Sequence, residues 1–411
     1  MSYTLLAPPH LTGDIQLPAS KSMSNRALIL DALASDRSKS PSPNNLQNLA
    51  ECDDTLVMVK ALASESPVID IGAAGTSMRF LTAYLAGQEG LWTITGSERM
   101  KDRPIKLLVD ALVSVGAEIQ YLEKAGFPPL QIRGKKLKGG LVEVNGGISS
   151  QFLSALMMAA PLMEDGLTLT IKGTLISKPY FRMTLAMMKQ WGVDATWDYQ
   201  RVEIKPQQYK PIPYTIESDW SAASYWYEIL SLSNEGEFFL QGLRKDSLQG
   251  DLRISEWFEG LGVHSSFEAN GVRLSKIPVA VERFDADLSD QPDLAQTLAV
   301  TCILKGIHFR MEGLQSLKIK ETDRLKALID ESAKLGFVLE SHHDSILEWN
   351  GKTCCMMASP IETYDDHRMA MAFAPVAVMY GIVKINHPEV VSKSYPTFWE
   401  HLRSCNFHIE T

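Results

Sequence analysis

Ser149-Ser150-Gln151-Phe152-Leu153-Ser154-Ala155-Leu156-Met157-Met158-Ala159-Ala160, followed shortly by Leu167-Thr168-Leu169-Thr170-Ile171, decides how the rest of the 411 residues is read. The first stretch is a polar cluster running into small and apolar residues with almost no polar face, which predicts a helix buried nearly all round. The second alternates strictly, as a half-buried strand does. The same order recurs along the chain. Ser20-Lys21-Ser22 runs into Ala27 to Leu33, Gly75-Thr76-Ser77 into Phe80 to Leu85, and Ser218-Asp219 into Ala222 to Leu230. Pro292-Asp293 runs into Leu294 to Leu304, and Asp365-Asp366-His367-Arg368 into Met369 to Val378. Starts at 21, 75, 149, 219, 292 and 366 are separated by about 54, 74, 70, 73 and 74 residues, the mark of a repeated supersecondary unit. Further strand-like runs are Ile69-Asp70-Ile71, Val202-Glu203-Ile204 and Val383-Lys384-Ile385, and second, amphipathic helices are expected at Ile105 to Val115 and Met183 to Trp191.

These runs predict an α/β (α+β) module of strands and two helices used six times, three per domain. Lys205 to Pro213 has linker composition and marks the boundary between the third and fourth modules, while Ser35 to Asn48 reads as a surface loop. The length allows about 2.7 domain-sized units. A net charge of -9 excludes a general nucleic-acid or membrane surface, so an anion site must be local. Met1 to His10 lacks the regions of a secretory signal, and no apolar run reaches membrane-spanning length. The five cysteines, Cys52, Cys302, Cys354, Cys355 and Cys405, suit reduced thiols in a cytoplasmic protein. Cys354-Cys355 reads as part of a strand, and His342-His343 as a polar turn without other ligand-type side chains, so no metal is expected.

The helix starts hold the unusual chemistry. Lys320-Glu321-Thr322-Asp323-Arg324 opens an apolar-periodic helix that Thr322 or Asp323 caps, and its two cations oppose the helix dipole and each other. An anion between them would settle both conflicts. His367 beside Arg368 makes the same demand, and Lys21, Ser22, Arg26, Arg79, Arg103 and Lys393 add to the set. Several helix N-termini collected together bind an anion without a basic protein. Taken singly, Ser20, Ser22, Ser149 and Ser218 read first as plain caps, Asp219 and Asp366 read as caps in the same way, and Asp293 after Pro292 reads as ordinary helix-start design. Gly260-Leu261-Gly262 and Gly351-Lys352-Thr353 lack the glycines of nucleotide-binding loops, so no nucleotide cofactor is expected.

The sequence resembles the 5-enolpyruvylshikimate-3-phosphate synthases, the 3-phosphoshikimate 1-carboxyvinyltransferases of the shikimate pathway. The resemblance covers nearly the whole chain in the family's order: Lys21 to Arg26, Ala74 to Arg79, Arg103-Pro104, Ser149 to Phe152, Ser177 to Tyr180, Lys320 to Arg324, Asp366 to Arg368, and Ser392-Lys393. It implies a two-domain inverse αβ barrel of six βαβαββ units, with the active site in an interdomain cleft. The corresponding domains are residues 13–218 and, discontinuously, 1–12 with 219–411.

The resemblance also implies roles. Ser22, Arg26, Ser149, Ser150, Gln151, Ser177, Tyr180, Asp293, Ser316 and Lys320 would hold shikimate 3-phosphate. Gly75, Arg103, Gln151, Arg324, His367, Arg368 and Lys393 would hold phosphoenolpyruvate, and Lys21 would touch both. Asp293 would take the proton of the attacking 5-hydroxyl, while Glu321 or Lys21 protonates the methylene carbon. No cofactor is implied, and a monomer inhibited by glyphosate is expected. Three departures stand out: Ala73 replaces the family's usual Asn, Ser316 replaces an Asn of some members, and the chain is short between Asp54 and Ile71. The last accounts for the short first gap and predicts a first unit lacking a strand or hairpin. The sister transferases acting on a UDP-amino sugar use a loop cysteine near Met100 to Pro104, and none is present. A noncatalytic phosphate-metabolite binder would gain nothing from Asp293 and Glu321. RNA-end cyclases, which have similar units, would need a nucleotide-attaching histidine and a basic face that this sequence lacks.

Overall fold

β1 (Ser2–Leu6) and β2 (Leu11–Gln16) open the chain in a computed structural model that describes residues 1–35, 45–147 and 149–411. The chain then builds a continuous unit, Ala19–Ile216, and Glu217–Thr411 joins Met1–Pro18 as a discontinuous one. The edge expected at residue 13 would cut β2, which is bonded in parallel register to a later strand of the discontinuous unit, Gly236↔Leu11 to Gln241↔Gln16.

The continuous unit runs α1 (Lys21–Ala34), β3 (Leu46–Gln47), α2 (Asp53–Ala63), β4 (Val68–Asp70), α3 (Gly75–Ala86), β5 (Gly90–Thr95), α4 (Glu98–Lys101), α5 (Lys106–Ser114), β6 (Glu118–Tyr121) and β7 (Leu130–Gly134). It continues with β8 (Gly140–Asn145), α6 (Ser150–Ala159), β9 (Leu167–Lys172), α7 (Lys178–Gln190), β10 (Thr196–Trp197), β11 (Arg201–Ile204) and β12 (Tyr214–Thr215). Two sheets, β4-β5-β7-β6 and β10-β11-β9-β8, each contain a parallel pair bridged by a helix and a closing antiparallel hairpin. In the first module only the parallel pair β3 and β12 forms among the described residues. α2 leads directly to β4, so the hairpin expected to be missing is absent among the described residues.

Three helices pack together inside the continuous unit: α1, α3 and α6. All twelve residues of α3 are buried, and its Gly75, Thr76, Ser77, Thr82, Ala83 and Ala86 keep neighbouring backbones close. The stretch expected as a linker, Lys205 to Pro213, is mostly exposed and is anchored to its own unit by Tyr209, which is buried and donates its hydroxyl to Met158 O at 2.8 Å. Of the polar tract Ser35 to Asn48, residues 36–44 lie outside the described residues, and Leu46–Gln47 is strand rather than loop.

The discontinuous unit repeats the plan with α8 (Trp220–Leu232), β13 (Gly236–Gln241), α9 (Ile254–Leu261), β14 (Val263–Glu268), β15 (Gly271–Lys276), β16 (Arg283–Asp287), α10 (Ala295–Leu304), β17 (His308–Glu312) and α11 (Arg324–Lys334). β18 (Glu340–His342), β19 (Ile346–Trp349), α12 (His367–Phe373), α13 (Val376–Tyr380), β20 (Ile382–Asn386), α14 (Phe398–Ser404) and β21 (His408–Glu410) complete it. Its sheets are β14-β15-β13-β2, β16-β17-β19-β18 and β20-β1-β21. In the last, β1 joins two strands from the far end of the chain, and a parallel bridge Ile361↔Ile385 replaces the missing first strand. The inner helices α8, α10 and α12 touch one another within one hydrophobic core, and every residue of α10 and α12 is buried. The sheets therefore wrap helices in each unit, and no sheet among the described residues closes on itself.

Cys354-Cys355 is not strand. The two residues lie exposed in an irregular segment whose nearest ladder contact is the single bridge Phe337↔Thr353.

Candidate active site

In the discontinuous unit the chemistry gathers at the entrances of α10, α11 and α12. Asp323 caps α11 by accepting the Lys326 N–H at 3.1 Å, and Asp366 caps α12 by accepting the Arg368 N–H at 2.9 Å. Arg324, 2% exposed, donates from Nε to Asp366 Oδ2 at 2.6 Å, from Nη1 to Asp293 Oδ1 at 2.7 Å and from Nη2 to Glu321 Oε2 at 3.0 Å. Arg368 Nη2 donates to Asp293 Oδ2 at 3.2 Å, and its Nη1 to the Tyr225 hydroxyl at 3.3 Å. Lys320 Nζ lies 3.5 Å from Asp293 Oδ1, and Lys393 Nζ 3.1 Å from Glu321 Oε1. The anion that Lys320 and Arg324 call for is thus supplied internally by Asp293.

Four cations (Lys320, Arg324, Arg368, Lys393) and three carboxylates (Asp293, Glu321, Asp366) interleave in these contacts. Burial alone would raise Asp293, but Arg368, Lys320 and Arg324 together hold it well below the usual carboxylate range. Burial pulls Arg324 down, and Asp366, Glu321 and Asp293 more than restore it, so it stays charged. His367 is buried with Nδ1 3.6 Å from Asp366 Oδ1. Ser316 lies on the turn Gln315–Ile319, packed against the turn Pro292–Leu294 that carries Asp293.

In the continuous unit the first turns of α1, α3, α6 and α7 come together. Arg26, on α1 and 2% exposed, reaches α6 and α7: its Nε donates to Thr184 Oγ1 at 2.8 Å and its Nη2 to Ser154 Oγ at 3.0 Å. Nη1 donates to Ser22 O at 2.9 Å, and Nη2 also approaches Tyr180 O at 3.5 Å. The Phe80 and Tyr180 rings flank the guanidinium at 5.3 and 5.8 Å. No carboxylate pairs with Arg26 among the described residues, and burial pulls its pKa down to about 10. Among the described residues four of its five N–H groups are engaged, which leaves one on Nη1.

Ser149 caps α6 by accepting the Gln151 N–H at 3.3 Å, and Gln151 Nε2 donates to Thr76 Oγ1 at 3.1 Å, tying α6 to α3. Gly75 opens α3 beneath Arg103, so a β-carbon built there would meet Arg103 Nη1 at 2.6 Å. Arg79 braces this corner by donating to Gly75 O and Pro104 O, both at 3.1 Å. Ser150 and Ser177 are both buried, and Ser177 adopts a left-handed φ of 54° as α7 begins. Lys21 Nζ stands 3.2 Å from Asp54 Oδ2.

Sequence reasoning did not find Asp54, Ser154, Thr184 or Tyr225. Asp54 carries a faint signal, being the second of two acids opening α2; the other three look like ordinary helix residues. The expectation that His342 lacks ligand-type neighbours is corrected. His342 Nε2 lies 2.9 Å from Glu348 Oε1, and Glu340 is close by, its ligand atoms and theirs all within 4.8 Å. Those carboxylates also accept from Arg310 at 2.9 Å and Lys352 at 3.2 Å.

Comparison with known proteins agrees with this chemistry. The sequence pattern of the family described as EPSP synthase (3-phosphoshikimate 1-carboxyvinyltransferase) matches residues 6–64 and 61–402. A 3-phosphoshikimate 1-carboxyvinyltransferase from Bacteroides fragilis (strain YCH46) is 52% identical over 412 residues, spanning 100% of this chain and 99% of that protein. One from Pasteurella multocida (strain Pm70) is 38% identical over 432 residues, spanning 97% and 96%. A solved EPSP synthase from Acinetobacter baumannii superposes over 100% of both chains with a TM-score of 0.77 at 19% identity, a likeness of fold. The chain therefore belongs to the EPSP synthase family, the 3-phosphoshikimate 1-carboxyvinyltransferases.

Proposed function

We propose that this chain transfers the enolpyruvyl group of phosphoenolpyruvate to the 5-hydroxyl of shikimate 3-phosphate, releasing inorganic phosphate, and does so as a monomer in the cytoplasm without a cofactor. The observation that carries the reading is the interleaving of four cations with buried Asp366 and the partly exposed Asp293 and Glu321 at the entrances of α10 to α12. Anion binding alone is served by the cations; the carboxylates add groups that move protons.

Arg26, Ser22, Ser149, Ser150, Gln151, Ser177 and Tyr180 hold shikimate 3-phosphate together with Lys320 and Ser316. Arg103, Arg324, His367, Arg368 and Lys393 hold the phosphate and carboxylate of phosphoenolpyruvate, with Gly75 and Gln151 shaping that site and Lys21 serving both substrates. Asp293, hemmed in by three cations, is a weak base in the free protein. Anionic substrates share those cations and make it a stronger one. Asp293 then accepts the 5-hydroxyl proton as the oxygen attacks the enol carbon, and Glu321 or Lys21 delivers a proton to the methylene carbon. Loss of a proton from that carbon, with cleavage of the carbon–oxygen bond to phosphate, expels inorganic phosphate and restores the double bond. Charge neutralisation and positioning of two anions supply much of the acceleration.

Lys21→Ala and Asp293→Ala test the roles. Both variants are expected to keep the wild-type circular dichroism spectrum and to lose at least about a hundredfold in kcat, the usual range for a missing proton carrier. A near-normal kcat in either would remove that residue from the mechanism.

A further inference from the structure

A second meeting of cations lies at the far ends of α8 and α10 from the helix entrances described above. Lys276 ends β15, and Lys305 caps the C-terminus of α10. Both side chains are half-buried, and both Nζ donate to one oxygen, Ser231 O in the last turn of α8, Lys305 doing so at 2.6 Å. Two donors on a single acceptor stand no more than about twice a hydrogen-bond length apart, roughly 6 Å. The acceptor itself is fixed, because Ser231 Oγ donates to Leu261 O at 2.6 Å and ties α8 to the end of α9. The other elements beside Lys276 bring no charge. Val263 of β14 stands opposite it in the ladder, and Gly262, which ends α9, is close enough that a β-carbon there would lie 3.5 Å from Nζ. Among the described residues no carboxylate pairs with either lysine. One ammonium suits the carbonyls at a helix C-terminus; a second beside it adds little and is repelled by the first.

We propose that Lys276 is a modification site for carbon dioxide, its amine forming a carbamate whose negative charge the Lys305 ammonium holds. This goes beyond the proposed function and uses none of its residues. In the step, the lone pair of Nζ bonds to the carbon of CO2, one carbon–oxygen π bond opens onto oxygen, and a proton on nitrogen passes to water. The product keeps an N–H for Ser231 O, and a like-charged pair becomes an ion pair. The step needs the neutral amine. Burial pulls Lys276 down to about 7, with the charge and hydrogen bond of Lys305 adding to the fall. About half of Lys276 is then neutral at pH 7, against less than about one in a thousand for an ordinary lysine. Burial lowers Lys305 too, but its hydrogen bond with Lys276 works the other way, so Lys305 is the member that keeps its proton.

The experiment equilibrates the full chain with isotopically labelled bicarbonate at about pH 7.5, where Lys276 is largely neutral, and traps carbamates by alkylation with a trialkyloxonium salt. Peptide mass spectrometry maps the adducts in the wild type and in Lys305→Met. Lys276 of the wild type is expected to carry at least about tenfold more label than any other lysine, well inside the difference in neutral amine. Lys305→Met removes the counter-charge and is expected to lose about fivefold of the label at Lys276, the scale of a single ion pair. Bicarbonate at constant pH and ionic strength is expected to raise the wild-type melting temperature by about 1 °C more than that of Lys276→Arg, whose side chain forms no carbamate. Label spread evenly over the lysines, a Lys305→Met chain labelled at Lys276 as heavily as the wild type, or equal melting shifts in the wild type and Lys276→Arg overturns the inference and leaves the proposed function standing. Should a variant fail to fold, the wild-type map decides alone.

Discussion

Arg26→Met perturbs stability and affinity in opposite directions. In the folded chain the Arg26 guanidinium is buried among neutral partners, and burial pulls its pKa down to about 10. A base whose folded pKa is depressed destabilises the fold wherever both states are protonated, here at all ordinary pH. Two to three units correspond to about 3 kcal/mol. Removing the cation relieves that cost and loses its hydrogen bonds, but the partners left behind stay satisfied. Ser154 Oγ and Thr184 Oγ1 lie 2.8 Å apart, and Thr184 Oγ1 donates to Tyr180 O at 2.9 Å. An apolar side chain of similar length fills the space. The melting temperature of the ligand-free variant is therefore expected to equal or exceed that of the wild type. A bound phosphate dianion recovers the same 3 kcal/mol or so in the wild type alone, so the variant binds shikimate 3-phosphate about a hundredfold more weakly. Scanning fluorimetry and titration calorimetry with shikimate 3-phosphate read both quantities. A dissociation constant within threefold of wild type, or a loss of melting temperature as large as that of a core truncation, would refute the reasoning.

Gly75→Ala places a β-carbon 2.6 Å from Arg103 Nη1 and 2.9 Å from its Cζ, so the guanidinium must move while the helix gains up to about 1 kcal/mol in propensity. The KM for phosphoenolpyruvate is expected to rise about tenfold, one misplaced charge contact, with an unchanged melting temperature, and glyphosate to inhibit the variant less than the wild type. Equal KM values would show that Arg103 does not bear on that substrate. Glu228 is fully buried with neither carboxyl oxygen hydrogen bonded among the described residues, and burial raises it well above its ordinary value. A raised folded pKa leaves stability greatest below the ordinary value of 4.5, and it erodes as pH climbs toward the folded value. Glu228→Met is therefore expected to gain about 2 kcal/mol at pH 8 and to flatten the pH dependence. A lower melting temperature than wild type at pH 8 contradicts this.

Much of the fold was legible because its period is long and its inner helices are chemically plain. Small residues at 75–86 and 295–304 announce burial on every face, and the shortage between Asp54 and Ile71 announces the missing hairpin. The site was legible wherever a helix start broke a local rule. Two like charges at Lys320 and Arg324 called for a bound anion, and in the folded chain the side chain of Asp293 stands between them. What stayed hidden has no local signature. Thr184 and Ser154 matter only because Arg26 arrives from residues far earlier in the chain. β2 belongs with β13 through a parallel pairing that no turn announces, which is why the division falls at Pro18 rather than at residue 12. Adjacent Cys354 and Cys355 look apolar enough for a strand, yet among the described residues no partner strand reaches them beyond the bridge at Thr353.

The most direct test of the account is inorganic phosphate release from phosphoenolpyruvate by the purified chain, followed with and without shikimate 3-phosphate. Release that depends on both substrates, in equal amount with the enolpyruvyl product, is the predicted result. Phosphate release without shikimate 3-phosphate, or none with both present, contradicts it.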